Sequence, residues 1–126
     1  MYKFSSDQPV YIQVMNTIKQ QIVNGELQEN DKIKSVRELA LEYGVNPNTV
    51  QKSLSELERE GFLRTERTSG RFVTLTSKQR DKIKMDLAEA KTREYINGLR
   101  ELKYPDQKIR ALVSAVLKEK EVASCE

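Results

Sequence analysis

The sequence has no histidine, no tryptophan and a single cysteine, Cys125, among its 126 residues. The lack of histidine excludes His-based acid–base catalysis, Ser-His-Asp triads and His-ligated metals. One cysteine forms neither an intrachain disulfide nor a cysteine-type zinc site. Phosphate-cradling glycine-rich loops and paired carboxylates in an apolar setting are also missing. We therefore expect no metal, no cofactor and no enzymatic activity.

Long apolar segments are absent as well. No run approaches the roughly 18 apolar residues that indicate a membrane span. The first seven residues, Met1–Asp7, lack the apolar core of a signal peptide. Aromatic residues make up only 6% of the chain, whereas charged residues make up 33%. The sequence therefore predicts a largely helical cytoplasmic protein without a membrane partner.

The formal net charge of +3 is too small to identify a partner by itself. Residues 1–76 contain 10 basic and 10 acidic side chains, whereas residues 77–126 contain 12 basic and 9 acidic ones. A nucleic-acid surface in the first segment must therefore come from the local arrangement of its charges rather than from bulk charge.

Three helices are predicted in the first half of the chain. Apolar residues recur at a spacing of three and four over about 9–24. Ser35–Glu38 matches a capping box and begins a second helix, which Gly44 ends. Asn46–Pro47 supplies an N-cap and a favourable first residue for a third helix, which ends at Gly61. The two short helices around Gly44 form a helix-turn-helix pattern.

A β-hairpin is predicted directly after the third helix. Short β-favouring runs at 62–66 and 71–75 flank a turn at 67–70. The segment 26–34, before the second helix, is interpreted as a polar connector. Three helices and a terminal hairpin are the parts of a winged helix-turn-helix, which we assign to domain 1–76.

The remaining residues, 77–126, are predicted to form two helices separated by a break at Tyr104–Asp106. Their apolar stripes are too long to be buried on a small winged domain, so we expect a second copy of the chain to cover them. The expected fold class is mainly α with a small β-hairpin, a winged helix-turn-helix followed by a two-helix C-terminal dimerisation tail. The predicted dimerisation residues are Ile83, Leu87, Ala90, Ile96, Leu99, Leu102, Ile109, Leu112, Val113 and Val116.

Four segments, 33–40, 44–50, 57–62 and 70–73, resemble the DNA-binding domain of the GntR family of bacterial transcription regulators and occur in the same order. The resemblance extends over about residues 8–75. The short helical remainder is similar to the tail of the YtrA-type subfamily, which implies a dimerisation unit. Members of this subfamily commonly repress operons that encode ABC transporters, so the resemblance implies such a role here.

The sequence departs from the family pattern at several positions. Pro47 and Gln51 stand where many members have an Arg that contacts bases or phosphates. Lys34 replaces a common Pro, Thr68 replaces a wing Gly, and Asn30 replaces a Gly at a position where Asn also tolerates a left-handed conformation. DNA contacts of longer family members therefore cannot be transferred wholesale.

The N-terminal end of the third helix is the predicted recognition element, because it has no acidic residue before Glu56. Asn and Gln side chains pair with adenine, and Thr contacts thymine methyl groups or phosphates. The alternative is that Asn46 and Asn48 are simply capping and surface residues, and for Asn46 the capping role is favoured. The predicted contacts on this helix are Asn46, Asn48, Thr49, Gln51 and Lys52.

The resemblance implies further contacts at the second helix and at the hairpin. Ser35 and Arg37 would bind backbone phosphates at a helix N-terminus, although Arg37 could instead pair with a nearby Glu. The hairpin turn would enter or flank the minor groove, or it could be an ordinary solvated hairpin. Its predicted DNA-binding residues are Arg67, Ser69, Gly70 and Arg71.

The sequence therefore predicts a homodimeric repressor that binds double-stranded DNA at an inverted-repeat operator. The alternative is a winged-helix protein-interaction module or scaffold without sequence-specific DNA binding. The short tail shows no obvious set of ligand-binding residues. A small amphipathic or apolar effector bound in the tail interface and the absence of any effector are therefore both open.

Overall fold

The computed structural model describes the backbone of residues 3–123 and the side chains of residues 3–119. Cys125 lies outside the described residues. The fold is mainly helical with one antiparallel hairpin, which confirms the expected fold class. No helix in the described part is long and apolar enough to cross a bilayer. The elements are α1 (Val10–Val23), α2 (Val36–Tyr43), α3 (Pro47–Arg59), β1 (Leu63–Glu66), β2 (Gly70–Val73), α4 (Ser77–Glu101) and α5 (Asp106–Ala123).

The chain divides into two compact units, one up to Lys84 and one from Met85 onwards. The first unit contains the hydrophobic core, to which α1, α2, α3 and both strands contribute. Burial of these aliphatic and aromatic side chains is the main source of its stability. The most deeply buried side chains of this core are Val14, Ile18, Ile22, Tyr43, Val50, Leu54, Leu57 and Val73.

A buried hydroxyl joins α3 to α1. The Ser53 side chain is fully buried. Its Oγ donates to the backbone oxygen of Tyr11 at 2.8 Å and also lies 3.0 Å from the Thr49 oxygen in its own helix. Because a buried hydroxyl needs a partner, this contact fixes how the two helices approach.

Local signals in the sequence explain the turn between α2 and α3. Gly44 has a left-handed conformation with φ of +68° and ends α2. The Asn46 side chain then caps α3, and Pro47 occupies its first turn. The predicted helix-turn-helix therefore has the boundaries that its capping residues indicate.

The two strands of the hairpin pair with Leu63 opposite Val73 and Glu66 opposite Gly70. The connector before α2 also pairs with this sheet over a short stretch, along β2. Lys32 forms a bridge with Phe72, and the Ile33 N–H donates to the Arg71 oxygen at 3.0 Å. The interpretation of this segment as a mere polar connector was therefore incomplete, because its backbone pairs with β2.

The left-handed residue in this connector is Asn30, with φ of +72°. Its N–H donates to the Val73 oxygen at 2.8 Å, and the Val73 N–H donates to the Asp31 oxygen at 2.9 Å. The expectation that Asn30 adopts this conformation in place of Gly is confirmed. The turn delivers the chain to the edge of β2.

The second unit contains the rest of α4 and all of α5. The Lys103 φ of +63° ends α4, and the Arg100 guanidinium then binds the Asp106 carboxylate at 3.1 and 3.2 Å. These two hydrogen bonds hold the pKa of Asp106 below its ordinary value. The turn is therefore closed by both backbone conformation and charge pairing.

The predicted dimerisation residues differ in their burial within this single chain. Ile83 packs against the core of the first unit, so it has an intramolecular contact, and its role in a dimer stays a prediction. Ile109 is buried, whereas Ile96 and Leu99 are half-buried and Ala90 is exposed. Exposures between 36% and 72% are found for Leu87, Leu102, Leu112, Val113 and Val116.

Candidate nucleic-acid interface

The N-terminus of α2 carries a complete capping box. The Ser35 Oγ accepts from the Glu38 N–H at 3.1 Å, and the Glu38 carboxylate accepts from the Ser35 N–H at 2.9 Å. Hydrogen bonds to Ser35 lower the pKa of Glu38, and the bond to the Ser35 backbone has a larger effect than the bond to its side chain. The capping box therefore satisfies two backbone N–H groups at this end of the helix, and the helix N-terminus remains a favourable position for an anion.

Arg37 lies in the first turn of the same helix and is exposed. Within residues 3–119, its guanidinium has neither an ion-pair nor a hydrogen-bond partner. Glu42, an acid of the same helix, is instead paired with Lys34. The alternative that Arg37 is neutralised by a nearby Glu is therefore not what the structure shows, and the guanidinium is available to an anion.

The N-terminus of α3 combines a cap with exposed amide side chains. The Asn46 Oδ1 accepts from the Asn48 N–H at 2.7 Å, so its capping role is observed directly. Asn48 and Gln51 are exposed, and Thr49 is half-buried. Within the described residues, the Gln51 Nε2 donates one long hydrogen bond, of 3.3 Å, to Ser55. Asn48 and Gln51 are therefore free to exchange their present contacts for base edges.

Lys52 extends this polar surface toward α1. Its Nζ lies 4.1 Å from the centroid of the Tyr11 ring, a cation–π distance. Tyr11 is half-buried, and together with Val10 it forms a shallow depression next to Asn48 and Thr49. Tyr11 also packs against the hydrophobic core, and helical spacing in the sequence does not show its contact with Lys52. Only the packing of α1 on α3 brings its ring to the predicted interface.

Two acidic side chains at the far end of α3 have basic partners. Glu56 accepts two hydrogen bonds from Arg59, at 3.0 and 2.5 Å, and these lower the pKa of Glu56. Glu60 lies 2.8 Å from the Lys19 Nζ. Their negative charge is thus compensated within the unit, which reduces their repulsion of an approaching polyanion.

The wing, which we define as β1, β2 and their turn, presents a tight tip. Gly70 has φ of +112°, and a Cβ placed there would lie 3.0 Å from the Lys32 Cε. The conformation therefore favours glycine, whereas the flexible Lys32 side chain could move away from a Cβ. Arg67 and Ser69 are exposed at this tip, as the minor-groove prediction requires.

The two other wing arginines are held by protein contacts. The Arg64 Nε donates to Glu66 at 2.8 Å, and its guanidinium lies 5.2 Å from the Phe72 ring centroid. The side chain of Arg71 is only 19% exposed, and its Nε lies 3.7 Å from a carboxylate oxygen of Glu58. Arg71 is therefore less accessible than the turn residues beside it, and its predicted DNA contact stays a prediction.

Comparison with known proteins identifies the fold and its family. The model of the family described as bacterial regulatory proteins, gntR family, matches residues 10–73, the span of α1, α2, α3 and the wing. The chain belongs to the GntR family. The resemblance stated from the sequence is thereby confirmed, and the members of this family are transcriptional regulators rather than enzymes.

Two relatives in Bacillus subtilis (strain 168) support the assignment to the GntR family. The HTH-type transcriptional regulator YhcF is 36% identical over 100 residues, which cover 79% of this chain and 83% of YhcF. The HTH-type transcriptional repressor YtrA is 41% identical over 73 residues, which cover 58% of this chain and 56% of YtrA. The match to YhcF thus extends beyond the winged domain.

Solved structures of GntR-type proteins agree with the fold. A GntR family transcriptional regulator from Listeria monocytogenes has a TM-score of 0.80 at 33% identity, and covers 89% of this chain and 98% of its own. The DNA-binding domain of AraR in complex with operator ORX1 has a TM-score of 0.54 at 27% identity, and covers 59% of this chain and 93% of its own. The described wing and helix-turn-helix are therefore shared with a domain seen on DNA.

Proposed function

We propose that this GntR-family chain is a sequence-specific DNA-binding repressor that acts as a homodimer on an inverted-repeat operator. The observation that carries the proposal is the charge arrangement of the first unit. Arg37 is exposed and unpaired within the described residues, and Asn48 and Gln51 are exposed at the front of α3. The acids at the back of α3 are paired with basic side chains.

In this arrangement, some residues would contact backbone phosphates and others would contact bases. Arg37 and the N-terminus of α2 would bind backbone phosphates, which position the domain without reading sequence. Asn48, Thr49 and Gln51 would then read base edges in the major groove, and the wing tip would follow the minor groove. Binding to a promoter would block transcription by occlusion.

The tail supports the dimer. In a single chain, α5 leaves an apolar stripe that includes Leu112, Val113 and Val116 exposed. A two-fold pairing of this stripe would bury it and place two winged domains on related half-sites, about one helical turn apart or a multiple of that distance. The similarity to YtrA, a repressor, and the YtrA-type tail support a regulated operon that encodes an ABC transporter.

Equilibrium binding to a fluorescent duplex from upstream of the gene tests the proposal, with a scrambled duplex as control and a series of salt concentrations. We expect sequence-dependent binding with two chains per duplex. Arg37→Ala should weaken binding to all sequences alike and reduce the salt slope by about one ion. Arg59→Ala is the matched control, since this exposed arginine in the same unit pairs with Glu56 at the opposite end of α3. Equal slopes for the two variants would refute the phosphate role of Arg37.

A further inference from the structure

Glu58 connects the recognition helix α3 to both strands of the wing. One of its carboxylate oxygens, Oε1, accepts a hydrogen bond of 2.8 Å from the Thr65 Oγ1 in β1. The same oxygen lies 3.7 Å from the Arg71 Nε in β2. Thr65 and Arg71 are directly opposite each other in the register of the hairpin. A single carboxylate therefore contacts a cross-strand pair.

The burial of Arg71 makes this contact more than an exposed surface ion pair. The side chain of Arg71 is 19% exposed and that of Glu58 is 38% exposed. The Arg71 Nε is buried and has no hydrogen-bond partner in the described residues. A partly desolvated guanidinium depends strongly on a nearby opposite charge, and the Glu58 carboxylate supplies one.

The neighbouring acids of α3 do not make such a link. Glu56 is paired with Arg59 within the same helix, and Glu60 is paired with Lys19 of α1. Within the described residues, Glu58 is the one of these three carboxylates that contacts the wing. Its contact with the chain next to Gly70 ties the hairpin to the helix that carries Asn48 and Gln51.

We propose that Glu58 is a positioning residue that fixes the wing against α3 through Thr65 and Arg71. The proposal rests on the DNA-binding function proposed above, because the fixed angle sets how far the wing tip lies from the base-reading side chains. In this role Arg71 acts as a bridge within the protein, and Arg67 and Ser69 remain the exposed groups of the tip. In this proposal Glu58 acts through its contacts with Thr65 and Arg71.

The first test needs no DNA and compares Glu58→Ala with Glu56→Ala. Both substitutions remove one paired carboxylate from the exposed side of α3. Amide hydrogen exchange of residues 64–73 in the full chain should be about five-fold faster in Glu58→Ala, the effect of losing roughly one hydrogen bond. Exchange in α1, and thermal unfolding, report whether the fold is retained. Equal wing exchange in the two variants would overturn the proposal.

The second test measures the ratio of operator affinity to scrambled-duplex affinity. Loss of a negative charge should raise binding to both duplexes in either variant. If Glu58 positions the wing, this ratio should fall several-fold in Glu58→Ala and stay unchanged in Glu56→Ala. Glu58→Gln, which keeps an acceptor for Thr65, should lie between Glu58→Ala and the parent chain. An equal ratio in all variants would refute the positioning role.

The two tests separate this proposal from the function on which it rests. If the parent chain shows no preference for any duplex, the proposed function fails, and the hydrogen exchange of the wing still decides whether Glu58 holds it. If the parent chain shows a preference but the wing exchange of Glu58→Ala equals that of the control, the function stands and the positioning role fails.

Discussion

The capping box of α2 allows the structural and DNA-binding roles of Ser35 to be separated. Ser35→Ala removes the oxygen that accepts from the Glu38 N–H at 3.1 Å, and leaves that N–H without its protein partner. Loss of such a cap costs about 1 kcal/mol, within a range of roughly 0.5–2 kcal/mol, whereas Ser→Gly costs only a few tenths. For a domain of this size, about 1 kcal/mol corresponds to a decrease in Tm of roughly 4–8 °C.

Thermal unfolding followed by circular dichroism, at one protein concentration for all variants, measures this difference. We expect Ser35→Ala to melt several degrees below the parent chain and Ser35→Gly to melt close to it. Because both variants lack the hydroxyl, a phosphate contact by Ser35 requires equal losses of DNA affinity below their melting ranges. A Tm of Ser35→Ala at or above that of Ser35→Gly would refute the capping argument.

Three further predictions concern the core, an acidic titration and the tail. Leu54→Ala should lower the free energy of unfolding by about 2–5 kcal/mol in a denaturant titration, since Leu54 is fully buried. Its control, Leu41→Ala, should change it by less than about 0.5 kcal/mol, because Leu41 is 80% exposed. Because the pKa of Glu38 is lowered in the folded chain, its carboxylate stabilises the fold at pH values above its pKa in the unfolded chain. This stabilisation is lost as the pH falls through the pKa of the folded chain. NMR titration of the carboxyl group should show the lowered pKa, and an ordinary pKa would contradict the capping geometry. Combined Leu112→Asp and Val116→Asp substitutions should yield a monomer in sedimentation experiments where the parent chain is a dimer, and a persisting dimer would exclude this stripe as its interface.

Sequence analysis predicted best the helix ends whose capping motifs lie within four consecutive residues. The Ser35–Glu38 pattern, the Asn46 cap and the Gly44 stop each depend on local hydrogen bonding and local φ, so the structure reproduces them. A similar signal before α4 was overlooked. The Thr76 Oγ1 accepts from the Gln79 N–H at 3.1 Å, and the Gln79 Oε1 accepts from the Thr76 N–H at 2.9 Å. This is the Thr-x-x-Gln form of the capping box.

The features that sequence analysis missed depend on packing between distant segments. Lys32 pairs with Phe72, but the connector lacks the alternation of apolar and polar residues that would predict a strand there. The partial burial of Arg71 depends on where the far end of α3 meets the hairpin, which no local spacing records. Phe72 is half-buried and lies under the Arg64 guanidinium, while the adjacent Val73 is fully buried.

Selection of duplexes from a random pool by the full chain tests the central claim most directly, when it is combined with the stoichiometry of the selected complex. A homodimeric, sequence-reading repressor predicts enrichment of a two-fold symmetric site, with half-sites about one helical turn or a multiple apart, and two chains per duplex. A pool that shows no enriched sequence after repeated rounds, with binding equal to that of scrambled DNA, would contradict the account and favour a winged domain that serves a protein partner.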